Sequence, residues 1–244
     1  MRLLGILSFS SVAPDDQIEL LQKIVAVAER RLGQKAFKEF AGTFWGFMET
    51  RPYMRARQRL ADAFRLAGKL ELAITEWEEM LKLNPNDNQG IRYSLLPAYL
   101  ALTRLDAAAR LFARYDECGL HTVFSWCRVL ERFLSRDLPG AARALAIARA
   151  QNPFTEAYVR RQKRRPKHLP DAYTLGRKEE AVCFAENLAM AWKPHAQARK
   201  WLAAQSNSPS EITLRSSNNH DLHKPIGLDT TRTVQLGAPF RQTS

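Results

Sequence analysis

The run RRQKRRPKH, Arg160 to His168, places six lysines or arginines in nine residues. Cations at that density suit phosphates, because each contact releases condensed counterions and affinity then falls steeply as salt rises. Arg160, Arg161, Lys163, Arg164, Arg165 and Lys167 are therefore candidate polyanion-binding residues, with RNA or DNA as the ligand. Against this, the nearby aromatics are limited to Tyr158 and Tyr173, no nucleic-acid-binding fold signature accompanies the run, and charge runs are commonly solvated faces. His220 and His223 flank Asp221 at a spacing that can touch a metal, but in a stretch with no regular pattern to hold ligand geometry. His121, His168 and His195 are isolated. Cys118, Cys127 and Cys183 are odd in number and widely spaced, which suggests neither a disulfide framework nor a zinc site and fits a reducing cytoplasm. A Gly-rich phosphate loop, a serine elbow and a paired-cysteine motif are all missing. The expectation is a protein without catalytic residues, cofactor or metal.

These residues must be held by something, and the composition of 45% hydrophobic and 25% charged residues is ordinary for a globular core. No apolar run approaches the roughly 18 residues of a membrane-spanning helix. The longest, Leu3 to Phe9, is interrupted by Gly5 and Ser8, so it reads as a truncated or capping helix within a short segment 1–14 and only faintly as a secretory signal. Ile18, Leu21, Ile24, Val25, Ala28 and Leu32 then recur at helical spacing, with Gly33 as the stop. Phe37, Phe40, Ala41, Phe44, Trp45 and Met48 predict a second helix with an aromatic stripe facing a core, ended by Thr50-Arg51-Pro52.

From Met54 to Asp87 the chain reads as one helical hairpin, with Leu60, Ala61 and Phe64 on its first helix, Ala73, Trp77 and Met80 on its second, Gly68 between them and Pro85 closing. The same offsets return. Leu60-Ala61-x-x-Phe64 recurs as Leu95-Leu96-x-x-Tyr99 and Val129-Leu130-x-x-Phe133, at periods of 35 and 34 residues. Ala73-x-x-x-Trp77 recurs as Ala108-x-x-x-Phe112 and Ala142-x-x-x-Ala146, at the same periods. This is the tetratricopeptide pattern, in which small residues sit where helices touch and each hairpin must stack on its neighbours. A fourth copy is half present: Gly176, Ala181, Ala185 and Leu188 reproduce a second helix, while Pro166 and Pro170 break its partner into a connector. Ala196 to Ala203 reads as a capping helix. Beyond Gln205 the composition turns to Ser, Asn and Thr, so 205–244 is expected to be disordered. That tail holds four basic and three acidic residues, so nearly all of the net charge of +12 belongs to the folded part. The expected fold is all-α: a tetratricopeptide-like helical-hairpin solenoid over 15–204 with a disordered tail.

The strings ETRPYMRAR, Glu49 to Arg57, and LNPNDNQGIRY, Leu83 to Tyr93, resemble bacterial tetratricopeptide proteins related to the suppressor-of-tumorigenicity-seven family. AGTFWGFMET and EEAVCFAENLAMAW look like the same family, and the resemblance runs from Gly33 to Leu202. It implies a helical scaffold without established catalytic residues that acts through protein contacts. The chain departs from that family in its polar tail and in the helical repeat sequence expected ahead of Ile18, which leaves an open end suited to self-association.

In such an array the first helix of each hairpin lines the concave surface. Arg51, Tyr53, Arg55, Arg59 and Asp62 of one copy, and Gln89, Arg92 and Tyr93 of the next, are thus candidate contacts for an extended or helical protein segment carrying acidic groups. The competing reading is that Glu49, Arg51, Arg55 and Asn88 tie hairpins together, and that Asn84 and Asn88 supply turn and cap chemistry. The leading expectation is a non-enzymatic protein scaffold. The second is an adaptor that associates with nucleic acid through 160–168.

Overall fold

The structure is a computed structural model that describes residues 13–205 and the strand Thr233–Gln235. It is mainly helical, and the chain divides into two compact units that adjoin in sequence at Tyr99 and Leu100. None of its helices is long and apolar enough to cross a membrane, among the described residues.

In the first unit, α1 (Pro14–Glu39) buries Ile18, Leu21 and Val25 and packs against α2 (Arg51–Leu66). Gly33 interrupts α1 with φ 68° and ψ 161°, so the expected stop is a kink. The expected continuous helix through Met48 is not there. It ends at Glu39, Gly42 turns the chain at φ 85°, and only a single 3-10 turn, Phe44–Gly46, follows. The stripe is split accordingly. Phe44 is fully buried, with Phe37 at 5.1 Å and Tyr53 at 5.9 Å between ring centroids, whereas Phe40 stacks on Phe47 at 3.9 Å and Met48 is 70% exposed. Two glycines within five residues supply the break, and the buried Thr50 hydroxyl, set against the carbonyls of Phe44 and Phe47, holds the new path.

Pro52 opens α2, and Leu60, Ala61 and Phe64 face α3 (Leu70–Leu83), which buries Ala73, Ile74, Trp77 and Met80. The turn between them places Gly68 at φ 75°, with the Lys69 amide donating to the Phe64 carbonyl at 2.8 Å. The same left-handed step recurs at Thr103 (φ 56°), between α4 (Arg92–Ala101) and α5 (Leu105–Arg114), and at Arg136 (φ 62°), between α6 (Thr122–Leu134) and α7 (Leu138–Gln151). At Arg136 the Asp137 amide again closes back, onto the Arg132 carbonyl at 2.9 Å.

These turns correct the repeat register. Arg136 lies 33 residues after Thr103, and α7 follows the same step. Its buried positions are Gly140, Ala141, Ala144, Leu145 and Ala148, whereas Ala142 and Ala146 are exposed. One residue is missing from the third copy relative to the expected period of 34, and a one-residue shift turns a helix by about 100°. The first-helix positions Val129 and Leu130 are buried as expected.

In the second unit α6 is the central element, buried almost all round from Thr122 to Glu131 and packed on α7 and α9 (Lys178–Trp192). Trp126 meets Trp192 edge-on at 6.3 Å. Ala181, Ala185 and Leu188 are buried as expected. Yet α9 lies against α6 and the one-turn α8 (Glu156–Val159), so it neighbours a first helix instead of serving as the outer partner of a fourth hairpin, and α10 (Ala196–Ala204) touches both α6 and α9. The connector carries β1 (Ala172–Thr174), which pairs antiparallel with β2 (Thr233–Gln235), Tyr173 opposite Val234. These three tail residues therefore depart from the disorder expected over 205–244, because β1 offers an open ladder edge to pair with. The rest of that stretch, with His220, Asp221 and His223, lies outside the described residues, as does the expected helix within 1–14.

Candidate interaction surfaces

The candidates on α2 and α4 separate by what their side chains already bind. Tyr53 is buried, takes a hydrogen bond from Arg57 at 3.2 Å, and has its hydroxyl pKa raised by burial. It belongs to the core, not to a contact surface. Arg57 donates through Nε to Glu76 at 2.6 Å, joining α2 to α3 with both side chains largely covered. Arg92 donates to the Asp87 carboxylate at 2.9 Å and to the Asp87 carbonyl at 3.2 Å, and also to the Tyr93 hydroxyl at 2.7 Å while its guanidinium lies over that ring. Asp87 in turn accepts from the amides of Ile91 and Arg92 at 2.7 and 2.9 Å, holding the start of α4. Burial raises its carboxyl pKa, opposed by those same bonds. Asn84 donates to Asn88 at 3.2 Å, and Gln89 donates to Gln58 at 2.7 Å and weakly to the Met54 carbonyl. For Arg92, Tyr93, Gln89, Asn84 and Asn88 the hairpin-tying reading therefore describes the geometry.

Arg51 and Arg55 are arranged differently. Arg51 uses Nε on the Trp45 carbonyl at 2.9 Å, and both guanidiniums lie 5.5 Å from the centroid of the Trp45 ring. Among the described residues no carboxylate stands within ion-pair reach of either. Arg55 is exposed, and Met48 and Phe47 (37% exposed) stand a few residues before it in the turn ahead of α2. Tryptophan, arginine and methionine are enriched in interface cores, and stacked guanidiniums keep their outer donors available. Arg59 and Asp62 lie further along α2, half-buried, and burial pushes the Asp62 carboxyl up to about 6 despite Arg65.

The basic run is held at several points and open between them. Arg149 clamps Glu156 with Nε at 2.7 Å and a terminal nitrogen at 2.9 Å, Arg160 stands 3.7 Å from the same carboxylate, and Arg165 pairs with Glu186 at 2.6 Å. Arg161 sits at φ 59°, and the amides of Gln162 and Lys163 both donate to the Ala157 carbonyl. Arg161, Lys163, Arg164 and Lys167 are exposed. Lys163 lies over the Tyr158 ring at 5.5 Å, but Tyr158 and Tyr173 are buried and offer no face for stacking a base.

Glu180 has no counterpart among the sequence candidates. It is fully buried on the first turn of α9. One oxygen accepts the Thr122 amide at 2.8 Å, and the other accepts the Gly176 amide at 2.7 Å and Asn152 Nδ2 at 2.9 Å, with Gln151 Nε2 at 3.1 Å. It thereby joins the start of α6, the end of α7 and the end of the connector. His121 Nδ1 is 3.9 Å away and accepts from the Val123 amide at 3.1 Å. A lone glutamate in KEEAV carries no spacing signal; only the Asn152-Pro153 step, matching Asn84-Pro85, marks a shared turn in the sequence.

The three cysteines are free, and burial raises their thiol pKa values, that of Cys183 to about 11, so none presents a thiolate at neutral pH. No group of three or more His, Cys, Asp or Glu suited to a metal occurs among the described residues. Compared with known proteins, the chain matches no family model, no curated protein and no solved structure.

Proposed function

We propose that this chain is a non-enzymatic protein-protein interaction scaffold of tetratricopeptide-like hairpins, akin to the bacterial proteins its flanking strings resemble, working in a reducing compartment. The observation that carries this reading is the Arg51-Trp45-Arg55 stack, with the exposed Phe47 and Met48 close to Trp45 in sequence. Its two cations lie against the Trp45 ring and, among the described residues, have no carboxylate within ion-pair reach, which suits a segment that combines acidic and apolar side chains. The recurrence of one turn at Gly68, Thr103 and Arg136 supports the repeat architecture. Relative to the concave surface expected from the pattern alone, the contact face moves to the entry of α2, because Arg92, Tyr93 and Gln89 are occupied within the protein.

The test is affinity capture from nuclease-treated lysate of the source cell, comparing the wild-type chain with Arg55→Ala and Met48→Ser. Both positions are exposed, so both variants should fold with unchanged circular dichroism. Loss of the same captured proteins by both variants is the expected result. Identical capture by wild type and both variants would remove this face from the reading.

A further inference from the structure

The geometry points to a second, independent binding surface: the connector 161–167 grips the phosphate backbone of double-helical nucleic acid. The charge of the folded residues is unevenly placed. Residues 100–205 carry nineteen lysines and arginines against ten acids, whereas 13–99 carry thirteen against twelve. Within the basic part, Arg160 and Arg165 are matched to Glu156 and Glu186. That leaves Arg161, Lys163, Arg164 and Lys167 exposed in a stretch with no regular secondary structure.

This stretch is also preorganised. The Ala157 carbonyl fixes its start and the Arg165–Glu186 pair a point within it, which lowers the chain entropy lost on binding. Fully extended, 161 to 167 would span about 20 Å at most, and the turn at Arg161 to Lys163 shortens this, so the stretch matches a few phosphates along one strand. Single strands are held largely by stacking on aromatic side chains. No Phe, Tyr or Trp lies between Arg160 and Asp171, and the flanking Tyr158 and Tyr173 are buried, so His168 is the one exposed ring there and contacts go mainly to phosphates, which favours a duplex without sequence preference.

Four phosphate contacts fix the expected behaviour. In fluorescence anisotropy with a short labelled mixed-sequence DNA duplex, log affinity should fall with log salt at a slope of about −3.6, roughly a 150-fold loss between about 50 and about 200 mM. The combined variant Arg161→Asn, Lys163→Ala, Arg164→Ala and Lys167→Ala should lose this binding, asparagine being chosen because it tolerates the left-handed backbone at 161. Arg164→Ala alone should lower the slope by about 0.9. Arg143→Ala, an exposed cation on α7, and Arg55→Ala should both bind as wild type, which separates this surface from the one proposed above. The inference is overturned if the full chain shows no saturable binding at low salt, if the combined variant keeps the wild-type slope, or if phosphatidylserine vesicles or polyglutamate bind more tightly than the duplex at equal charge.

Discussion

Replacing Glu180 by Gln is a one-atom change with a large expected effect. Thr122 N addresses one carboxylate oxygen, Gly176 N and Asn152 Nδ2 the other, and Gln151 Nε2 lies near both. Whichever oxygen becomes an amide nitrogen, at least one backbone amide loses its acceptor and faces another donor. The Thr122 amide has no route to water, since its residue is fully buried. A buried donor left unsatisfied costs about 1–3 kcal/mol, and the new amide sets a second unpaired donor against it, so Glu180→Gln should destabilise by about 2–4 kcal/mol. Glu180→Ala, which strips the acceptor from every donor, should reach about 3–5 kcal/mol. Trp126 and Trp192, both fully buried in the same unit, report unfolding by fluorescence. With a urea slope of about 2 kcal/mol per molar, the Gln variant should unfold at a midpoint lower by roughly 1–2 M. The neighbouring Glu179, whose side chain is more exposed, is the control, and Glu179→Gln should stay within about 0.5 kcal/mol of wild type. If both variants shift alike at unchanged slope, Glu180 is not the hub described.

Asp62 should make stability depend on pH. Burial raises its carboxyl from 3.8 to about 6, so the folded state holds a proton that the unfolded state has released; stability is full below about pH 4 and falls as pH rises through about 6. Asp62→Asn should therefore gain on wild type by on the order of 2 kcal/mol between those limits, read from urea midpoints at pH 4 and pH 7; equal differences at both would refute it. At the repeated hairpin turn, Thr103→Gly and Arg136→Gly should each raise stability by about 0.5–1 kcal/mol by relieving a left-handed non-glycine residue, while Gly68→Ala should lower it by about 1 kcal/mol. Thermal unfolding of the three variants checks the pattern, and a destabilised Thr103→Gly would contradict it.

The helices were legible where periodicity and punctuation agreed. Leu60-Ala61-x-x-Phe64, Gly68 and Ala73-x-x-x-Trp77 all point to one hairpin, and the buried positions follow them. Legibility failed where two patterns competed. Phe37 to Met48 keeps helical spacing although Gly42 and Gly46 break the backbone, and apolar spacing alone says nothing of that break. It failed again in the alanine-rich helix α7, where Ala141, Ala142, Ala144, Ala146 and Ala148 fit either of two registers and only the Arg136 turn selects one.

The amino-acid sequence by itself determined the helical class, the hairpin turn at Gly68, the connector where the helical periodicity fails and the basic run, because these depend on local spacing, backbone preference and composition. The tertiary structure alone decided which polar residues remain available. Arginines and tyrosines along α2 and α4 look alike in sequence, yet Arg92 is spent on Asp87, Tyr53 is buried, and Arg51 and Arg55 stack on Trp45. Glu180 became visible only when four donors from three separate segments converged on it. The physical reason is that a side chain's pairing is set by what folding brings beside it: Thr122 and Asn152 lie 58 and 28 residues from Glu180, and even the short-range pairs Arg92–Asp87 and Arg51–Trp45 depend on how the chain between them turns.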